Sequence, residues 1–103
     1  MMKAVGVLSE VLRERESQEK RWGEQDHLPE EWLAILGEEF GEVARAICEF
    51  RLQGRRMAGP EIRAELIQLA AVAVAMVECS DRKGWSLLSS KEAFASVDKR
   101  KKK

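Results

Sequence analysis

Apolar residues recur at helical spacing in three stretches of the chain, and polar segments without a period separate them. Val5, Leu8, Val11 and Leu12 stand three and four apart, after which Arg13 to Lys20 is polar throughout, so a first helix is expected from Val5 to about Lys20. Arg21 to Pro29 has no period and carries Gly23, Asp26, His27 and Pro29, which is the composition of a loop. Pro29 suits a first helical turn, and Glu30 and Glu31 suit the positive end of the helix dipole. A second helix is expected from there to about Gln53. Gly54, Arg55, Arg56 and Gly59-Pro60 form the next connection, and a third helix runs from Pro60 to about Cys79. Asp81 to Ser90, with Gly84 and paired serines, reads as a turn, and Lys91 to Asp98 as a short fourth helix. The expected fold class is all-α: one domain over residues 1–98 and a basic, disordered tail over 99–103.

Composition supports that pattern and narrows the partners. A chain of 103 residues can build one modest core and not two. Apolar residues make up 45% and charged ones 35%, a globular balance dominated by helix formers, with no Tyr. Lys plus Arg and Asp plus Glu are equal at 18 each, so no net field draws in nucleic acid or an anionic membrane. The Lys99-Arg100-Lys101-Lys102-Lys103 run is read as a solubilising end. Cys48 and Cys79 stand singly in apolar helical patterns, without a second Cys or a His at metal-ligand spacing, and are expected to be reduced core residues. No charged-then-apolar leader is evident, and the longest apolar stretch, Leu66 to Val77, is interrupted by Gln68 and too short to span a bilayer. A cytoplasmic protein without membrane or nucleic-acid partners is the expectation.

Candidate chemistry comes from acids that fall where a solvated face would not put them. With about 100° per residue, the second helix aligns Trp32, Leu36, Phe40, Val43, Ile47 and Phe50 as its core stripe. Glu39 falls inside that stripe and Glu42 at its edge beside Ala46, while Glu38 lies further round towards solvent. On the third helix Glu61, Glu65 and Gln68 form a line that continues as Val72 and Met76. From Leu66 onward that helix is apolar nearly all round, which implies burial on more than one side. Ionised carboxylates in such positions must be protonated, paired with cations or bound to a metal. Carboxylates at i and i+3 on one helix, facing a similar pair on another, make an oxygen cage suited to Mg²⁺ or Mn²⁺. Neutralisation by Arg45, Arg51 or Arg63 in ordinary salt bridges is the alternative, and periodicity alone leaves both open.

The segments RWGEQDH, WLAILGEEFGEVARAI and ELIQLAAVAVAMVE resemble the MazG-like branch of the all-α nucleoside triphosphate pyrophosphohydrolases, over roughly Gln18 to Glu78. That family pairs an EExxE segment on one helix with an ExxD segment on the next, and together they hold Mg²⁺. Here the first is Glu38, Glu39 and Glu42. In the second, Glu65 matches but Gln68 occupies the Asp position, which offers a carbonyl oxygen and no charge. The resemblance implies hydrolysis of a nucleoside triphosphate to a monophosphate and pyrophosphate, a house-cleaning role in the nucleotide pool. Glu39, Glu42, Glu65 and Gln68 would be the metal ligands, and Glu38 the catalytic residue that orients water or binds a second ion.

A base needs a flat apolar surface, for which Trp22 in the polar loop and Trp32 are the candidates, and a polar contact, for which His27 is at hand. Trp32 also has a structural reading as part of the core stripe, and His27 one as an exposed residue with no task. Lys20, Arg21, Arg55, Arg56 and Lys83 near the helix ends are candidates for phosphate. A third helix apolar on nearly every side cannot be covered by so short a chain, so a homodimer or homotetramer is expected, which the resemblance implies as well. Two rival functions stand: a nucleotide- or metal-binding regulatory module of the same fold, weakened by Gln68, and a helical nucleic-acid binder, which the zero net charge disfavours.

Overall fold

The two long apolar periods and the polar-ended first stretch each become one helix. In the computed structural model the described residues, 2–55 and 58–87, form α1 (Met2–Trp22), α2 (Pro29–Arg51) and α3 (Ala58–Lys83), with a 3₁₀ turn at Trp85–Leu87 and no strand. The fourth helix expected over Lys91 to Asp98 and the basic tail lie outside the described residues.

Helix ends follow local chemistry. Gly23 and Gly84 stand one residue past α1 and α3 with φ of 74° and 65°, a left-handed conformation that costs glycine nothing. The Gly23 N–H closes α1 on the Glu19 carbonyl at 2.7 Å. α1 therefore absorbs Arg21 and Trp22, which were expected in the loop. α3 likewise runs on through Asp81, Arg82 and Lys83, expected as a turn, because nothing breaks the helix before Gly84 and the two cations suit its negative end. At the start of α2 the Glu31 carboxylate accepts the Leu28 N–H at 2.8 Å, satisfying a donor the helix leaves open.

α3 packs against both α1 and α2 and is the centre of the arrangement. Trp32 of α2 meets Val72 and Cys79 of α3, flanked by Ile35, Leu36, Ala75, Met76 and Trp85. Ala46, Ala58 and Ala71 are fully buried. Ion pairs tie α1 to α3: Arg63 grips both oxygens of Glu10 at 2.8 and 2.5 Å, and the buried Arg15 reaches Glu78 at 2.6 Å. No helix among the described residues is long and apolar enough to cross a membrane.

The inner stripe of α2 is rotated from the expected one. Trp32, Val43 and Ala46 are buried with Glu39 half-buried between them, whereas Phe40 is 65% exposed, Ile47 43% and Phe50 38%. α1 lies along one flank of the α2–α3 pair, and no other described helix covers the other. Leu66, Val74 and Val77 of α3 are exposed for the same reason, and so is Cys48, whereas Cys79 is buried; both thiols are free. Replacement of Val72, which joins α3 to Trp32, tests this packing. Val72→Ala should cost about 2 kcal/mol in denaturant unfolding, and an unchanged midpoint would mean that the Trp32 cluster does not hold the helices together.

Candidate functional site

Three helical stripes converge on one cavity of about 310 Å³. α2 contributes Trp32, Ile35 and Glu39, α3 contributes Gln68, Val72 and Ala75, and both sets repeat at three and four residues. α1 adds Glu14, Arg15, Gln18, Arg21 and Trp22, and the following loop adds Gln25 and His27. Candidates separated by up to 47 positions, from Arg21 to Gln68, thus share one wall system.

Side chains from α3 hold the loop in place. Arg82 donates to Asp26 through Nε and Nη2 at 3.1 and 2.9 Å and to the Gln25 carbonyl at 3.1 Å, and the Cys79 thiol lies 3.7 Å from the His27 carbonyl. His27 is consequently half-buried, not idle in solvent. Its ring meets Trp32 edge to face at 4.9 Å, and Nε2 is 3.2 Å from Gln25 Oε1. Trp32 is 2% exposed and chiefly structural by its packing, yet its indole N–H is buried with no hydrogen-bond partner among the described residues. Trp22 is the accessible ring, 60% exposed, with the Arg21 guanidinium 4.5 Å above its centre. It sits on the last turn of α1 and not in the loop.

Glu39 is the electrostatic centre. Its Oε2 is buried and has no hydrogen-bond partner among the described residues. Burial, and then the charges of Glu65, Glu42, Glu38 and Glu14, push its carboxyl above the ordinary glutamate range. The salt-bridge alternative fails for this group: among the described residues no ion pair reaches Glu38, Glu39 or Glu65. It holds for Glu42, which is exposed and bound to Arg45 at 2.8 Å, while Arg63 is committed to Glu10. Among the described residues no group of three or more Asp, Glu, His or Cys side chains is gathered as a metal cage. Repulsion within the cluster and the pull of Arg45 on Glu42 both act against such a gathering. Of the predicted ligands, Glu39 and Gln68 line the cavity; Glu65 acts on Glu39 through its charge, and neither Glu42 nor Glu38, the predicted catalytic residue, lines it, both being exposed.

Glu39 Oε2 is buried without a hydrogen-bond partner among the described residues and Gln68 lines the same cavity, but the described acids are not gathered as a set that could hold a cation. Among the phosphate candidates, Arg21 lines the cavity, Arg55 is taken up by Glu49 and Glu61, Lys83 faces Asp26 at 3.7 Å, and Arg56 is outside the described residues. The α1 contribution of Glu14, Arg15 and Gln18 was missed because Arg13 to Lys20 reads as wholly polar. A signal existed: Val11, Arg15 and Gln18, spaced four and three, are all buried, so the apolar stripe of α1 continues in polar residues. No model of a known protein family, no curated protein and no solved structure matches the chain.

Because the folded state holds the Glu39 proton more tightly than the unfolded chain does, this group's contribution to stability falls as pH rises through and above the glutamate range. Glu39→Gln removes that loss, while the oppositely shifted Asp26 and Glu10 stay common to both proteins. In the absence of added cation the variant should melt roughly 5 °C above wild type near pH 7, on about 1 kcal/mol. The gap should close near pH 4, where both side chains are neutral. Equal melting at pH 7 would show that the carboxylate is not under strain.

Proposed function

We propose that the chain is a Mg²⁺-dependent nucleoside triphosphate pyrophosphohydrolase of the MazG-like kind, cleaving triphosphate to monophosphate and pyrophosphate in a cytoplasmic, pool-cleaning role. The observation that carries this reading is the unpartnered, buried oxygen of Glu39 on a cavity wall that also presents guanidinium groups and aromatic rings. Glu39, Glu65 and the Gln68 carbonyl would hold the cation, with Mn²⁺ an alternative to Mg²⁺, and Glu42 would join after release from Arg45. A divalent ion there would neutralise phosphate oxygens and the charge that develops as the bond between the α and β phosphates breaks.

The remaining work falls to side chains. Arg21, on the cavity wall, would bind phosphate, the exposed Trp22 ring would carry a base, and a His27 ring nitrogen would give it a polar contact. Glu38, exposed and free of ion pairs among the described residues, would orient the attacking water. Release of pyrophosphate from a panel of canonical and modified triphosphates, with Mg²⁺ or Mn²⁺, tests this reading. Glu39→Ala should lower kcat/KM at least roughly a hundredfold. One observation favours the rival regulatory module: the cavity wall carries the neutral Gln68 where the family pattern has an acid. Silence of the native chain on every triphosphate, with activity switched on by Gln68→Asp, would decide for that rival.

Self-association completes the proposal. By helical phase, Leu33, Phe40 and Ile47 of α2 and Leu66 and Val77 of α3 fall on the flank opposite α1, and all five are exposed. An apolar surface of that kind on a two-helix face is suited to the same face of a second copy, giving a four-helix core. Light scattering should return an integral multiple of 11.7 kDa. Phe40→Glu should shift the mass towards the single chain, and a wild type that runs as a monomer would refute the assembly.

A further inference from the structure

We propose that the loop over residues 23–28 is a lid on the cavity and that Arg82, on the last turn of α3, is the latch that holds it shut. The inference goes beyond the cation reading above and stands whatever ligand the cavity takes.

Three of the elements that line the cavity are helices, and the fourth is this loop, which contributes Gly23, Gln25 and His27. Helices are held by their own backbone bonds. The loop is not: among the described residues, 24–27 make no hydrogen bond from backbone to backbone. What holds them comes from the end of α3. Arg82 donates to the Asp26 carboxylate through Nε and Nη2 and to the Gln25 carbonyl through Nη2, and its Nε stands 3.6 Å from Glu24 Oε2. Lys83 faces Asp26, and the Cys79 thiol reaches the His27 carbonyl. Arg82 thus touches three successive loop residues, Glu24, Gln25 and Asp26.

The two ends of the loop suit a hinged segment. At Gly23 nothing lies within 4 Å of where a Cβ would stand, and φ is 74°, so the chain can turn there without a clash. At the other end Leu28 is fixed, since Glu31 accepts its N–H and the following Pro29 restricts its backbone. What the loop covers is buried. His27 packs edge to face on Trp32, and the Trp32 indole N–H and Glu39 Oε2, both on cavity-lining side chains, are closed off from solvent. A ligand can pair with either atom only after a wall has moved, and the loop is the wall that no helical bond holds. The Arg82 and Asp26 side chains are 30% and 37% exposed, and ion pairs this open to water are weak and screened by salt. The latch therefore consists of contacts that release readily.

Cys79 reports on the lid, because its thiol is fully buried against the His27 carbonyl, whereas Cys48 is exposed. With the full chain treated with iodoacetamide, peptide mapping by mass spectrometry gives the rate at each cysteine. Arg82→Gln should speed modification of Cys79 roughly tenfold and leave Cys48 unchanged. Asp26→Asn should act in the same way, and the two together should do little more than either alone, since they break one pair. Salt at about 1 M, which screens charges beyond roughly 3 Å, should speed Cys79 in wild type and not in Arg82→Gln. Arg63→Gln removes two bonds to Glu10, remote from the loop, and should leave the Cys79 rate as in wild type. Circular dichroism checks that each variant is folded; if Arg82→Gln is not, Asp26→Asn, which leaves α3 intact, carries the test. An unchanged Cys79 rate in the folded latch variants would overturn the proposal. So would an equal acceleration by Arg63→Gln, or a Cys79 rate that follows global unfolding across a urea series, since the thiol would then be reached by loss of the fold and not by the lid.

Discussion

A carboxylate on the inner stripe of a helix needs a proton, a donor or a cation, and among the described residues Glu39 Oε2 has no hydrogen-bond partner and no ion pair reaches the group. Surrounding acids aggravate the position, since Glu65, Glu42, Glu38 and Glu14 all disfavour its ionised form. A buried group in this state works against folding, and it persists only where surrounding packing fixes the helix around it. Here the Trp32, Val43 and Ala46 side chains on the same stripe are buried and hold α2 in phase. The hydrophobic face thus keeps an anion in a place where its own electrostatics would not. That conflict between packing and charge sets the electrostatics of the cavity.

Cations are distributed so as not to relieve it. Arg63, Arg45, Arg55 and Arg82 are engaged with Glu10, Glu42 and Glu49, Glu49 and Glu61, and Asp26, which secures helix pairs and the loop. Arg15 is buried at the cavity but directed to Glu78 and Glu19. Arg21 remains on the wall, held by a 3.3 Å bond to Glu14 and by the Trp22 ring, both exchangeable for an anionic ligand. One side of the cavity accordingly favours positive charge and the other side negative charge, the polarity that a metal-bound phosphate would require.

The periods of apolar residues made α2 and α3 legible within a few positions, and the intrusion of Glu39 into a core stripe was legible too. The extent of that stripe was not. Phe40 and Ile47 carry the same hydrophobicity as Val43, and only the one-sided placement of α3 and α1 decides which of them is covered. α1 was misjudged for a related reason: a long side chain such as Arg15 can be buried by its stem while its head pairs with Glu78, so polarity in sequence did not mean exposure. Cys48, apolar by type and exposed in place, errs the other way. Trp22 shifted from loop to helix because Gly23, and not the loss of apolar period, ends α1.

Helical phase also relates assembly to chemistry. The cavity lies on the α1 flank of the α2–α3 pair and is lined by Ile35, Glu39, Gln68 and Ala75, whereas Leu33, Phe40, Leu66 and Val77 are exposed and line none of it. A second copy seated on that opposite flank would bury apolar surface without entering the cavity, so each chain would keep a site made of its own residues. α1 is then the element that separates the two roles: it closes the cavity, and by occupying one flank it leaves only the other for a partner. A lone α2–α3 hairpin would expose both flanks and lose Glu14, Arg21 and Trp22 together. On this geometry the polar second half of α1 is the part of the chain that closes the cavity over the α2–α3 hairpin.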